Sequence, residues 1–187
     1  MTDTQSKILT IPTVLTLIRL VILPLIICCI YADYVMAGFI LYVFAALTDF
    51  LDGWLARKLD AVTPFGTFLD PISDKIFVGL LLLVFIDVGY LGGIFIIFPI
   101  VIIAREFLIS GLREFLGGKN IQVPVTAIAK WKTTLQMVAL GLLILAPYHI
   151  LVLFGALFCM AGAALATFIT GWLYMQAAWP HLRDENV

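Results

Sequence analysis

Residues 48–75 read TDFLDGWLARKLDAVTPFGTFLDPISDK, and this stretch decides how the chain is built. In its first part Asp49 and Asp52 lie three apart, so on a helix they share a face, and Gly53, Ala56 and Arg57 continue that face. A short connection, Lys58 to Thr63, leads to Pro64, which suits a first helical position with Thr63 as its cap. Gly66, Asp70 and Asp74 then recur every four residues along one side of a second helix. So short a connection makes the two helices antiparallel neighbours, and four carboxylates can converge between them.

Outward from this stretch the chain turns apolar in both directions. Its 187 residues are 63% hydrophobic and 12% charged, with a mean hydropathy of +1.13. Soluble domains are roughly 45–50% apolar and about 25% charged, so the expected solvent is a bilayer. The expected class is all-α, a polytopic membrane protein forming a single domain over residues 1–187. Six transmembrane helices are expected at about 12–31, 34–57, 71–88, 92–116, 131–147 and 150–177, since a span needs roughly 17–25 mostly apolar residues. A polar N-terminal surface segment, Met1 to Thr10, precedes them. Pro12, Thr13, Thr16 and Arg19 interrupt the first apolar run and no small-residue cleavage site follows, which argues against a cleaved signal peptide.

Lys7, Arg19, Arg57, Lys58, Lys75, Lys119, Lys130, Lys132 and Arg183 all fall towards one side of this arrangement, and Arg105 and Arg113 lie in the half of span four that leads there. The loops around Asp33, Asp87 and His149 contain no Lys or Arg. The positive-inside rule then places both termini and the acidic stretch on the cytoplasmic side, as in a bacterial inner-membrane protein. A net charge of −1 argues against a nucleic-acid partner. Cys28, Cys29 and Cys159 sit inside apolar runs without ligand spacing, and His149 and His181 form no HExxH pattern.

Acids at a bilayer edge are costly. A charge at a helix centre costs about 2.5–3.5 kcal/mol on insertion scales, and four crowded carboxylates repel one another. Arg57 and Lys75 cannot neutralise all four, whereas divalent cations can. Hard oxygen ligands suit Mg²⁺ or Mn²⁺, and two such ions are a recurring device for phosphoryl displacement. Gly53, Ala56 and Gly66 either leave a bare face for a bulky ligand or serve close helix packing.

The run from Asp49 to Asp74 resembles the signature of the CDP-alcohol phosphotransferases: Asp49-x-x-Asp52-Gly53-x-x-Ala56-Arg57, eight residues, then Gly66-x-x-x-Asp70-x-x-x-Asp74. The likeness extends to Ile11-Pro12-Thr13, Leu15-Thr16 and Arg19, to Arg105-Glu106, Ser110, Leu112, Arg113 and Glu114, and to Lys130-Trp131-Lys132-Thr133-Thr134 with Gln136-Met137. It departs at Thr10 and Thr13, where the family often carries asparagine, and it is weak in span six. The resemblance implies that Asp49, Asp52 and Asp70 are metal ligands, that Asp74 completes the metal site and is the general base, and that Asp49, Asp52, Gly53, Ala56, Arg57 and Gly66 bind the CDP portion. It implies CDP-diacylglycerol as donor, sn-glycerol 3-phosphate as acceptor, membrane lipids as surroundings and a homodimer as the assembly.

A dianionic acceptor needs cations. Arg105 and Arg113 are the costly residues of span four, and Arg suits bidentate phosphate recognition; the alternative for Arg105 is a buried pair with a neighbouring acid. Lys130 and Lys132 are the other candidates, or else snorkel to headgroups. They lie about 200° apart on a helix, and Lys130 is favoured because Thr133, Thr134 and Met137 fall on its side. Glu106 and Glu114 are expected to orient these cations. Two rival readings keep part of this picture. One retains the reaction with another acceptor, as in cardiolipin synthesis or inositol-phosphate transfer. The other makes the acids a cation pathway, against which no polar series crosses to the far side.

Overall fold

The computed structural model describes residues 11–59, 64–117 and 127–183. Among these residues the secondary structure is entirely helical: α1 (Ile11–Tyr31), α2 (Val35–Leu59), α3 (Pro64–Asp87), α4 (Ile97–Gly117), α5 (Ala127–Leu145) and α6 (Ile150–Arg183), with 3-10 turns at Gly93–Ile96 and Ala146–Tyr148. Among the described residues three helices are long and apolar enough to cross a membrane by length and composition: Thr13–Tyr31, Gly93–Gly117 and Ile150–Pro180. In α2 the apolar helix among the described residues is the shorter Val35–Asp49. The proposed helix cap Thr63 and the polar segment Met1 to Thr10 lie outside the described residues.

The chain divides into two compact units, residues Met1–Leu81 and Leu82–Val187. In the first, α1 packs along α2. The link between them is tight because Asp33 takes the left-handed conformation (φ 58°), letting the Tyr34 and Asp33 amides donate to Cys29 and Ile30 carbonyls. Those bonds satisfy the last carbonyls of α1. Buried Leu23 and Ile26 of α1, Tyr42 and Ala45 of α2, and Phe77 and Leu81 of α3 make the core, with the Tyr42 and Phe77 rings stacked 6.0 Å apart.

In the second unit α5 and α6 are the closest pair, and α4 also packs on α6. Glycines of α6 admit leucines of α5: a methyl group at Gly162 would lie 3.5 Å from Leu135 Cδ1, and one at Gly155 would lie 3.9 Å from Leu142 Cδ1. Each glycine is seven residues from the next and so is each leucine, in opposite order, as antiparallel helices require. On α4 the buried Ile102, Ile109 and Leu116 form a stripe with the same spacing.

The outward faces are apolar too. Phe158 is 82% exposed, and Val21, Tyr34, Ile94 and Leu151 are among many other large exposed side chains. A soluble monomer rarely presents so much contiguous apolar surface, so these faces suit lipid. The buried set contains the polar members: Thr13, Thr16, Arg19, Thr48, Ser73, Lys132, Gln136, Thr167 and Thr170.

Candidate active site

In the first unit the acids are organised by α1. Thr13, Thr16 and Arg19 are spaced by three and are all buried, placing hydroxyls and a guanidinium on the face that α1 turns inward. Arg19 is 4% exposed and uses both terminal nitrogens, Nη2 to Asp49 of α2 and Nη1 to Asp74 of α3. Thr16, one turn earlier, donates from Oγ1 to Asp70 Oδ1 at 2.7 Å. Asp70 is thus held one helical turn from Asp74, and Gly66 lies one turn further along α3 on the same side. Ser73 donates to the Asp70 carbonyl at 2.9 Å, and Thr48 to the Ala45 carbonyl at 2.8 Å, so neither hydroxyl competes for the acids.

Burial is graded in a useful way. The guanidinium lies beneath, while the side chains of Asp49 and Asp74 are 44% and 57% exposed. Each carboxylate therefore has one side committed to the α1 cation and another side open. Acids from two helices aimed at a single positive charge are a donor set that fits a hard divalent cation. Among the described residues no three acid, histidine or cysteine side chains close into a ready cage. The side chain of Asp52, the fourth acid, lies outside the described residues, as do those of Gly53, Ala56 and Arg57, all helical in α2.

The second unit holds the cations. Glu106 of α4 sits between two of them: its Oε1 accepts from Arg105 Nη1 at 3.1 Å and also from Lys132 Nζ of α5. All three side chains are at least three-quarters buried. One carboxylate between two cations leaves the group net positive. Arg105 Nη2 also donates to Thr170 Oγ1 of α6 at 3.4 Å, while that hydroxyl donates to the Ala166 carbonyl at 2.7 Å. Arg105 Nε, Gln136 Oε1 and Thr167 Oγ1 are buried and have no hydrogen-bond partner among the described residues. The Arg113 guanidinium lies 5.3 Å from the ring centre of Tyr174.

Of the sequence-derived candidates, then, Asp49 and Asp74 meet on one cation and Asp70 sits beside them. Arg105 and Lys132 meet on one acid, and Arg105 has the neighbouring-acid pair that was its alternative reading. Lys132 rather than Lys130 is the lysine seen with Arg105, the side chain of Lys130 lying outside the described residues. Sequence reasoning assigned no site role to Thr16 and Arg19, although an arginine inside an apolar span is the same costly signal that marked Arg105. It also missed Thr170 and Tyr174, whose spacing of four in an apolar helix was visible.

The profile of the CDP-alcohol phosphatidyltransferase family matches residues 9–174. Among curated proteins, a CDP-diacylglycerol–glycerol-3-phosphate 3-phosphatidyltransferase of Rickettsia bellii is 41% identical over 173 residues, covering 89% of this chain and 93% of that protein. A protein of the same description from Wigglesworthia glossinidia brevipalpis is 41% identical over 180 residues, covering 93% and 97%. Another from Pseudomonas fluorescens is 37% identical over 185 residues, covering 94% and 93%.

Proposed function

Because this chain belongs to the CDP-alcohol phosphatidyltransferase family, we propose that it transfers a phosphatidyl group from CDP-diacylglycerol to sn-glycerol 3-phosphate, releasing CMP. It is an enzyme of phospholipid synthesis, and its relatives carry that donor and acceptor in their names. The observation that carries the reading is the pairing of Asp49 and Asp74 with one buried arginine while both keep an open side.

Asp49, Asp52, Asp70 and Asp74 are the residues that would hold divalent cations, Mg²⁺ or Mn²⁺ and two in number. Bound there, such ions supply polarisation of the phosphoryl oxygens and offset the charge that develops on them. The chain's own residues do the rest. Arg19 and Thr16 fix the carboxylates of Asp49, Asp74 and Asp70 before substrate arrives. Gly53, Ala56, Arg57 and Gly66 receive the CDP portion. Asp74 accepts the proton of the acceptor's 1-hydroxyl as that oxygen bonds to the phosphorus bearing diacylglycerol and the bond to CMP breaks. Arg105 and Lys132, aligned by Glu106, hold the acceptor phosphate, with Arg113 and Lys130 as further cations; the buried Nε–H of Arg105 adds a donor to that group.

The architecture we propose is one membrane domain over residues 1–187, with six spans and both termini on the cytoplasmic face of a bacterial inner membrane, working as a homodimer. The bias of Lys and Arg to one side supports that orientation.

The test is CMP release by detergent-purified protein from CDP-diacylglycerol with glycerol 3-phosphate, with and without Mg²⁺. Inositol phosphate, serine and phosphatidylglycerol serve as parallel acceptors. Metal-dependent release with glycerol 3-phosphate, lost in Asp74→Asn, is the expected result. Activity with a different acceptor overturns the acceptor assignment, and no release with any acceptor in folded, metal-supplied protein overturns the reaction.

A further inference from the structure

Helix α6 carries no residue of the family-like signature, yet it touches both arginines of α4. Arg105 lies along it so closely that a methyl group on Gly171 would sit 2.8 Å from Arg105 Cγ, 3.6 Å from Nε and 3.8 Å from Cδ. Thr170, the preceding residue, receives the tip of the same guanidinium at 3.4 Å. Tyr174, one turn on, lies under the Arg113 guanidinium at 5.3 Å and is itself buried. Order along the two helices agrees, the earlier arginine meeting the earlier α6 residues, so α4 and α6 run in the same direction over this stretch.

We propose that Thr170, Gly171 and Tyr174 are positioning residues that aim the two arginines of α4 at the acceptor phosphate. This rests on the reading of Arg105 and Arg113 as acceptor-binding cations and assigns α6 a part in acceptor recognition. Each residue does something different. Gly171 supplies bare backbone against which the arginine stem lies. Cγ is the first atom beyond Cβ, so relieving a 2.8 Å contact there requires rotation about χ1 or movement of the helix, and either swings the whole guanidinium. Thr170 fixes the plane of the group at its tip, the hydroxyl being held in turn by the Ala166 carbonyl. The Tyr174 ring supports Arg113 from its face while leaving its N–H edges open to an anion.

The experiment compares steady-state constants and melting temperatures of detergent-purified variants. Gly171→Ala is expected to raise the KM for glycerol 3-phosphate about tenfold, the scale of one charge-assisted hydrogen bond, with the KM for CDP-diacylglycerol within about twofold of the parent, a change too small to count as a lost contact. It also reduces the thermal protection that glycerol 3-phosphate gives in the absence of donor. In an Arg105→Ala background the same substitution has no effect on acceptor KM or melting temperature, since the stem it meets is gone. Tyr174→Leu raises acceptor KM and Tyr174→Phe, which keeps the ring, restores it; this arm stands if Gly171→Ala does not fold. Equal effects of Gly171→Ala with and without Arg105, or a rise in both substrates' KM together, overturn the proposal. Should Arg105→Ala leave the acceptor KM unchanged, the acceptor reading falls instead, while loss of the Gly171→Ala effect on melting temperature in that background still reports the contact.

Discussion

Glu106→Gln removes one negative charge from between two buried cations and changes almost nothing in shape. Glu106 Oε1 accepts from both Arg105 and Lys132, whose side chains are 13% and 7% exposed, while its own is 25% exposed. Glutamine keeps an acceptor oxygen, so the loss is the charged share of two hydrogen bonds. A bond to a charged group contributes about 1.5–3 kcal/mol and a neutral one about 0.5–1.5, a difference of roughly 1–1.5 kcal/mol per bond. Both bonds become charged-to-neutral rather than neutral, which trims that difference, but Arg105 and Lys132 now repel each other without a screen. A net destabilisation of about 2–3 kcal/mol follows, and a shift of about 2–4 °C per kcal/mol for a chain of this size gives a melting temperature lower by about 5–10 °C. The assay is thermal unfolding in detergent, with and without inorganic phosphate. Because the variant leaves two uncompensated positive charges, phosphate should recover more stability in it than in the parent. An unchanged melting temperature, or equal phosphate protection in both, would refute the idea that this carboxylate offsets a buried excess of positive charge.

Other outcomes follow from contacts in each unit. Arg19→Ala is expected to lower activity by more than tenfold with a modest loss of stability, about 1–2 kcal/mol, because the half-exposed Asp49 and Asp74 can turn to water; Arg19→Lys, with one ammonium in place of a two-pronged guanidinium, should recover only part, and full activity in Arg19→Ala would count against the role given to α1. Thr16→Val deletes the 2.7 Å bond to Asp70 and should weaken Mg²⁺ dependence, read as a raised half-saturating Mg²⁺ concentration; an unchanged value would place Asp70 outside the metal site. Gly162→Leu forces a branched side chain against Leu135, 3.5 Å from the added Cβ, and should destabilise by about 1–3 kcal/mol through overpacking, whereas an unaltered unfolding curve would mean α5 and α6 do not meet there.

Helix positions were legible where hydropathy and length acted together. The helix expected at about 12–31 is Ile11–Tyr31, and the helix expected at about 34–57 is Val35–Leu59. Boundaries slipped where proline and polar residues sit inside a helix. The third span was expected from 71, but α3 runs unbroken from Pro64 through Pro71, and α6 continues past 177 through Pro180 to Arg183. Proline lacks an N–H and so weakens a turn, yet both helices run on through it. At the fourth span Gly93–Ile96 winds as a 3-10 turn before α4. Within the acidic site the spacing rule put Asp70 and Asp74 on one face, as found. It could not supply Arg19 as the partner that Asp74 shares with Asp49, because a contact between residues 55 apart in sequence is invisible to a periodicity argument. The preference for Lys130 turned on which neighbours share a face and concerns a side chain outside the described residues; the partner seen for Lys132 is Glu106 on another helix.

The two units treat charge in opposite ways, and that difference bears on function. In the first, one buried cation is shared by two acids, with a hydroxyl on a third, so the exposed sum is negative. In the second, one carboxylate is shared by two buried cations, so the sum is positive. Surplus charge inside an apolar helix bundle is costly unless a ligand completes it. On the proposed function, the surplus in each unit is where a counter-ion binds, divalent cations at the acids and a phosphate at the arginine and lysine. Those are the two charges that a reaction between a lipid-linked diphosphate and a phosphorylated alcohol brings to an enzyme.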